Sequence, residues 1–304
     1  MNNKLFSNIR TIFFDLDNTL IPTRIGDTKA CKKLSESLQL NYNFSEKESE
    51  ESTNVFLKAF RNCPDNPKVP LDTWRNHLWE QALPQHYKHL SQEIYREWLQ
   101  LRYFYLAIPS EFQDLLRNFR CAGYILGLIT NGPTSSQWEK VQKLSVSQFF
   151  DCILVSSDLP WEKPHPNIFY AACNYLNVKP EECVMIGDKI GTDIKGGNAA
   201  NLGGTFWIPL SPEKLQSYNA KSSTMASEEQ PDFIIENVLE LYKYFPKCSS
   251  NSDEDITDDN GSTCSHRRNS SHNLITSKAF KINRKRVSSL PELEYYSENS
   301  SDTL

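Results

Sequence analysis

The order of strand and helix patterns constrains this chain more than any other feature of its sequence. After Pro109, short apolar runs alternate with segments of helical periodicity. The predicted strands span residues 10–16, 124–130, 150–156, 183–186 and 205–208. The predicted helices of this part span residues 112–119, 137–144, 167–176, 193–200 and about 234–244. Such alternation is typical of a parallel sheet covered by helices, so we predict an α/β fold with a doubly wound parallel sheet.

The segment between the first strand and Pro109 has a different character. Residues 24–105 show no clear strand and carry helical periodicity, interrupted by a proline-rich connection at 64–70. Because the first strand precedes this segment, we predict an all-helical insertion over residues 23–105. The sheet domain then consists of residues 1–22 and 106–245.

The last 59 residues differ from the rest in composition. The chain is 38% hydrophobic, below the ~45–50% of typical globular domains. Residues 246–304 contain only 14 hydrophobic residues but 13 serines. Such a segment buries too little apolar surface to offset its ordering entropy, and we predict a disordered Ser-rich tail. Residues 267–270 and 285–288 resemble kinase sites, so the tail is a candidate for phosphorylation or partner binding.

Charge and apolar content exclude several function classes. Thirty-three Lys and Arg against 38 Asp and Glu give a net charge of −5, which argues against nucleic-acid binding. No run approaches the ~18–20 apolar residues of a membrane span, and the start lacks a secretory pattern. The eight cysteines form no C-x-x-C pair. This spacing leaves a zinc knuckle unsupported, and because the start lacks a secretory pattern we expect reduced thiols and a cytoplasmic location.

Polar side chains follow several of the predicted strands. In an open parallel sheet, ligands bind at the carboxyl ends of the strands. Four such segments bring acids, a hydroxyl group and an amine toward one edge: residues 15–19 (DLDNT), 130–132 (TNG), 162–164 (EKP) and 187–193 (GDKIGTD). Taken one at a time, these are also ordinary turn or helix-capping residues. Their joint occurrence at strand ends favours a catalytic site.

In this order, the four segments resemble the haloacid dehalogenase superfamily of phosphatases, over roughly residues 10–245. The resemblance implies that Asp15 is the nucleophile that forms an aspartyl-phosphate and that Asp17 is the general acid and base. It also implies Mg²⁺, held by the Asp15 carboxylate, the Asp17 carbonyl and Asp188. Asp193 and Thr19 would orient these groups.

The same resemblance assigns the phosphate contacts and the insertion. Thr130 and Asn131 would bind phosphoryl oxygens, and Lys163 would neutralise charge shared by the phosphate and Asp15. The helical insertion would be a cap that excludes water and sets specificity. Asp17 favours a phosphatase, because dehalogenases lack it. A receiver domain also combines Asp, Thr and Lys, but it is shorter and lacks the insertion.

Within the superfamily, several segments resemble the N-acylneuraminate-9-phosphatase family: residues 13–21, 79–82, 162–164, 168–170 and 192–197. This resemblance implies sialic acid 9-phosphate as substrate, with Arg75 and Arg102 of the cap as candidate partners of its carboxylate. Lys189 and Pro22 depart from the common pattern and put the substrate in question. Another small sugar or glycolate phosphate is the alternative, followed by a non-catalytic scaffold with a regulatory tail.

Overall fold

A computed structural model describes residues 6–62 and 69–245. The predicted Ser-rich tail and most of the proline-rich connection lie outside the described residues. Within them, six parallel strands form one sheet in the order β3-β2-β1-β4-β5-β6. The strands are β1 Thr11–Phe14, β2 Ile125–Thr130, β3 Cys152–Val155, β4 Cys183–Gly187, β5 Gly204–Trp207 and β6 Phe233–Ile234. The predicted α/β class with a parallel sheet is confirmed.

The α-helices lie in two groups along the chain. Between β1 and β2 are α1 Thr23–Tyr42, α2 Glu46–Phe60, α3 Leu71–Ala82, α4 Ser91–Tyr105 and α5 Ser110–Cys121. After β2 come α6 Thr134–Lys143, α7 Pro166–Leu176, α8 Lys195–Ala199 and α9 Pro212–Lys221. No helix among residues 6–62 and 69–245 has both the length and the apolar character needed to span a membrane.

The end of the described chain differs from the sequence prediction. In place of a helix over 234–244, the chain forms β6 and then a 3₁₀ helix at Val238–Lys243. The Phe233 ring stacks on Phe206 at 4.8 Å, and this packing favours an extended edge strand beside β5. Helix α9 was not predicted, although Ser211 caps it and Pro212 occupies its first turn.

The position of β1 at the centre of the sheet determines where the polar strand ends meet. Phe14, its last residue, lies level with Leu128 of β2 and Ile186 of β4. Side chains along β1 alternate between the sheet faces: Phe14 packs in one buried cluster and Phe13 in the other. Burial on both faces fixes the register of β1, because a one-residue slip would move the side chains of each face to the opposite face.

Helices α1 to α4 have a hydrophobic cluster of their own. At its centre the Phe56 ring stacks on Trp79 at 3.9 Å and meets Trp98 edge-on at 4.8 Å. All three side chains are fully buried. The helical insertion therefore packs around aromatic rings of its own rather than against the faces of the sheet. The predicted domain boundaries at residues 22, 105 and 245 stay predictions.

Candidate active site

One buried ammonium group joins three of the polar segments. Lys163 Nζ lies 2.7 Å from Asp15 Oδ1 and 2.7 Å from Asp193 Oδ1. It also donates a hydrogen bond of 2.6 Å to the Ile129 carbonyl of β2. The Asn131 side chain fixes the Lys163 backbone through two hydrogen bonds of 2.8 and 3.0 Å. Lys163 therefore holds the ends of β1, β2 and β4 together.

Three carboxylates meet at this point. Asp15, Asp188 and Asp193 are all buried, and one oxygen of each lies within 4.8 Å of the others. Both Asp188 carboxylate oxygens lack a hydrogen-bond partner among the described residues. Buried charged oxygens left unpaired are costly, and hard oxygen ligands suit Mg²⁺. This donor set therefore fits a divalent cation.

Burial and repulsion from neighbouring carboxylates keep Asp15 and Asp188 from ionising easily. Burial, opposed by Lys163 and reinforced by the neighbouring carboxylates, raises the pKa of Asp15 to about 7. Burial and then Asp193 raise the pKa of Asp188 to about 6. For Lys163, burial opposes the charge, but Asp15 and Asp193 outweigh it and raise its pKa. The ammonium thus stays charged while several carboxylates share it.

Asp193 depends on the absence of a side chain at residue 187. Its Oδ2 accepts a 3.0 Å hydrogen bond from the Lys189 backbone N–H. A Cβ built on Gly187 would come within 2.3 Å of the Asp193 carboxylate. Glycine at the end of β4 is therefore what lets Asp193 approach Lys163.

Asp17 has a separate set of partners. Lys140 Nζ lies 2.7 and 2.8 Å from its two oxygens, and Gln137 Nε2 donates at 2.9 Å. The hydroxyl of Thr23, the first residue of α1, also donates to Asp17. Burial opposes ionisation, but the Lys140 charge and these hydrogen bonds outweigh it and hold the pKa of Asp17 well below its usual range.

Gln137 and Lys140 were not predicted as site residues. Gln137 also donates to the Thr130 hydroxyl at 3.0 Å and to the Asn131 carbonyl at 2.6 Å. Both side chains are nearly fully buried. They lie three residues apart and so share one face of α6. Two polar residues at helical spacing just after a predicted phosphate-binding strand end were the available clue.

Thr130 and Thr19 are both buried near the strand ends. Thr130 is the last residue of β2, and Thr19 Oγ1 has no hydrogen-bond partner among the residues described. The roles predicted for Thr130 in phosphate binding and for Thr19 in support of the metal ligands stay predictions.

Arg75 and Arg102 lie together in the helical insertion, and each forms an ion pair with an acid that is not part of the carboxylate cluster. Arg75 pairs with Glu139 of α6 at 2.6 Å, and Arg102 pairs with Asp27 of α1 at 2.7 Å. Both guanidinium groups lie over the same aromatic rings, those of Phe60 and Trp98. Neither is exposed, and their contact with substrate stays a prediction.

Known proteins are similar to this chain in sequence and in fold. A family model described as haloacid dehalogenase-like hydrolase matches residues 9–201. Human N-acylneuraminate-9-phosphatase is 32% identical over 240 residues, covering 77% of this chain and 93% of that protein. Glyceraldehyde 3-phosphate phosphatase of Pyrococcus furiosus is 30% identical over 254 residues, covering 82% of this chain and 97% of that protein.

A solved structure supports the same architecture. A Thermotoga maritima protein described as a candidate beta-phosphoglucomutase superposes with a TM-score of 0.51 at 17% identity, covering 77% of this chain and 99% of that one. The family model and the phosphatase relatives show a hydrolase of the phosphatase class, which acts on a small-molecule phosphate. The chain belongs to the haloacid dehalogenase-like hydrolase family.

The raised pKa of Asp188 predicts a pH effect on stability. A carboxyl group whose pKa is higher in the folded state stabilises the fold at low pH, and this is lost as pH rises through about 6. In metal-free protein, Asp188→Asn should therefore raise the free energy of unfolding by about 3 kcal/mol at pH 7.5 and little at pH 4. Urea unfolding in a chelating buffer measures the free energy of unfolding at both pH values.

The matched control for this experiment is Asp114→Asn, because Asp114 is an exposed carboxylate on α5. It should leave the pH profile of the unfolding free energy unchanged. An Asp188→Asn variant with the same profile as wild type would show that this carboxylate is not destabilised by burial.

Proposed function

We propose that the chain is a Mg²⁺-dependent phosphomonoesterase that hydrolyses N-acylneuraminate 9-phosphate through an aspartyl-phosphate on Asp15. The observation that carries the mechanism is the Lys163 ammonium, which contacts Asp15 beside a set of buried acids that fits a metal. The similarity to N-acylneuraminate-9-phosphatases supports the substrate. Location in the cytoplasm and a place in sialic acid metabolism belong to the same proposal.

In the first half-reaction, an Asp15 oxygen attacks phosphorus and the bond from phosphorus to the ester oxygen breaks. Lys163, 2.7 Å from Asp15 Oδ1, orients the carboxylate and balances the charge that gathers on the phosphoryl oxygens. Thr130 and Asn131, at the end of β2, would bind those oxygens. The leaving alkoxide receives a proton from Asp17, and the product is the free sugar acid.

The second half-reaction needs Asp17 as a base. Its three hydrogen-bond partners hold it ionised, the form that takes a proton from the attacking water. The water oxygen bonds to phosphorus, and the Asp15–phosphate bond breaks. Because the first half-reaction needs a protonated Asp17, we infer that the Lys140 ion pair opens as the leaving group enters.

Mg²⁺ would be held by the Asp15 carboxylate, the Asp17 carbonyl and Asp188, with Asp193 and Thr19 orienting them. When bound, it would neutralise charge between the acids and the phosphate. In the same proposal, residues 1–22 and 106–245 carry the chemistry and residues 23–105 form the cap over it. The hydroxyl of Thr23, the first residue of that cap, donates a hydrogen bond to Asp17. A change in the position of the cap would therefore change the hydrogen bonding of Asp17.

A second candidate is a small phosphate without a carboxylate. The archaeal relatives named glyceraldehyde 3-phosphate phosphatase favour it, and so does the pairing of both cap arginines with acids of the chain itself. Binding of a substrate carboxylate by Arg75 would use its remaining donors, since its Nε has no hydrogen-bond partner among the described residues.

The two-carboxylate mechanism is tested by Asp15→Asn and Asp17→Asn. Asp15→Asn removes the nucleophile and should abolish phosphate release. Asp17→Asn removes the acid and base and should lower kcat by about 10²–10⁴-fold. Phosphate release and circular dichroism measure activity and fold, with Asp114→Asn as the control for an unrelated lost charge. An active Asp15→Asn variant would rule this mechanism out.

The substrate is tested by phosphate release from N-acylneuraminate 9-phosphate, glyceraldehyde 3-phosphate and neutral sugar phosphates, with and without Mg²⁺. We expect the highest kcat/KM for the sugar acid and no turnover without metal. Arg75→Gln combined with Glu139→Gln removes the ion pair between Arg75 and Glu139 without leaving either charge buried and unpaired. It should raise KM about tenfold for the sugar acid only. A preference for neutral phosphates would favour the second candidate.

A further inference from the structure

A pocket of about 370 Å³ lies directly beside Asp188, between the end of β5 and helix α9. This volume is within the range of small-molecule sites. Three lysines and three large apolar or aromatic side chains contribute to its wall: Lys189, Lys214, Lys221, Trp207, Tyr218 and Met225. The pocket shares Asp188 with the carboxylate cluster, yet nothing in the proposed mechanism uses its lysines.

The charge of this pocket is unbalanced. None of its three ammonium groups forms an ion pair with an acid in the part of the chain that the structure describes. Lys140 and Lys163, the lysines of the active site, are both paired. Lys189 and Lys214 are close enough to Asp188 to act on its carboxylate. Three lysines against the single Asp188 carboxylate leave the lining with excess positive charge, and such a concave surface attracts an anion.

The apolar part of the pocket is held in place by the active site itself. Trp207 is the last residue of β5, and its Nε1 donates a 3.0 Å hydrogen bond to the Asp188 carbonyl. Trp207 is 3% exposed, and its ring lies 5.0 Å from that of Tyr218 on α9. The two rings pack against each other at an angle of 54° and form part of the apolar wall, which favours an apolar ligand body.

We propose that this pocket binds an acidic group, a carboxylate or phosphate, carried on a small apolar body. The lysines receive the anion, and Trp207 and Tyr218 contact the body. Two sources share this chemistry: the distal end of the phosphate ester undergoing hydrolysis, and a separate small acid that binds beside the active site. The first source rests on the proposed function, and the second does not.

The first arm of the test compares phenyl phosphate with 4-carboxyphenyl phosphate, which adds one carboxylate to the same ring. Lys214→Ala combined with Lys221→Ala removes two pocket charges from the exposed side of α9. If the ester reaches the pocket, KM for the carboxylated ester rises about tenfold while that for phenyl phosphate stays unchanged. Lys214→Arg with Lys221→Arg should retain the wild-type KM.

The second arm measures benzoate binding to the full chain by calorimetry, and benzoate inhibition of phenyl phosphate hydrolysis. If a separate acid occupies the pocket, the double alanine variant loses about tenfold in benzoate affinity. Lys47→Ala with Lys58→Ala, two exposed lysines on α2, is the control for the same change in net charge and should bind benzoate like wild type.

Either tenfold change supports the pocket and identifies its source. The proposal is overturned if the double alanine variant matches the α2 control both in the KM ratio of the two esters and in benzoate affinity. A chain that releases phosphate neither from N-acylneuraminate 9-phosphate nor from either ester would contradict the proposed function alone, because the calorimetric arm still tests the pocket without turnover.

Discussion

The arrangement of the site depends on the Lys163 ammonium and its three partners. It contacts Asp15 after β1, Asp193 after β4 and the Ile129 carbonyl within β2. Without this cation, acids from adjacent strand ends would repel one another inside a buried volume. Asn131 fixes the Lys163 backbone, so the ammonium is positioned before any ligand arrives.

One ammonium does not balance the acids around it. Asp188 retains two buried oxygens without hydrogen-bond partners among the described residues, and the pKa values of Asp15 and Asp188 rise. The proposed metal would remove this imbalance, and its positive charge would balance that of a phosphate dianion. Repulsion among these acids thus destabilises the metal-free protein, and its relief would increase the affinity of the site for the proposed cation.

Helix α6 connects the acid at Asp17 to the helical insertion. Gln137 and Lys140 bind Asp17, while Glu139, between them, pairs with Arg75 of α3. The charges that hold the proposed acid and the proposed cap therefore lie on a single turn of helix. Movement of the insertion would reach Asp17 both through this turn and through the Thr23 hydroxyl.

The sequence was informative where chemistry follows strand order. Asp15, Lys163 and Asp188 could be placed at one edge because parallel strands end together, and the structure brings them together. The acids that pair with the two arginines could not be predicted. Arg75 and Glu139 are 64 residues apart and Arg102 and Asp27 are 75 apart, so each pair depends on how the helices pack. Strand β6 was missed because aromatic packing on Phe206, rather than local periodicity, fixes it.

The central claim is that the acids gathered by Lys163 bind a divalent cation. Calorimetric titration of Mg²⁺ into the metal-free chain at pH 6.5, in two buffers of different ionisation enthalpy, tests it most directly. We expect one site, release of protons from acids whose pKa values are raised, and strongly weakened binding in Asp188→Asn. Binding that is absent, or equal in wild type and Asp188→Asn, would contradict the account.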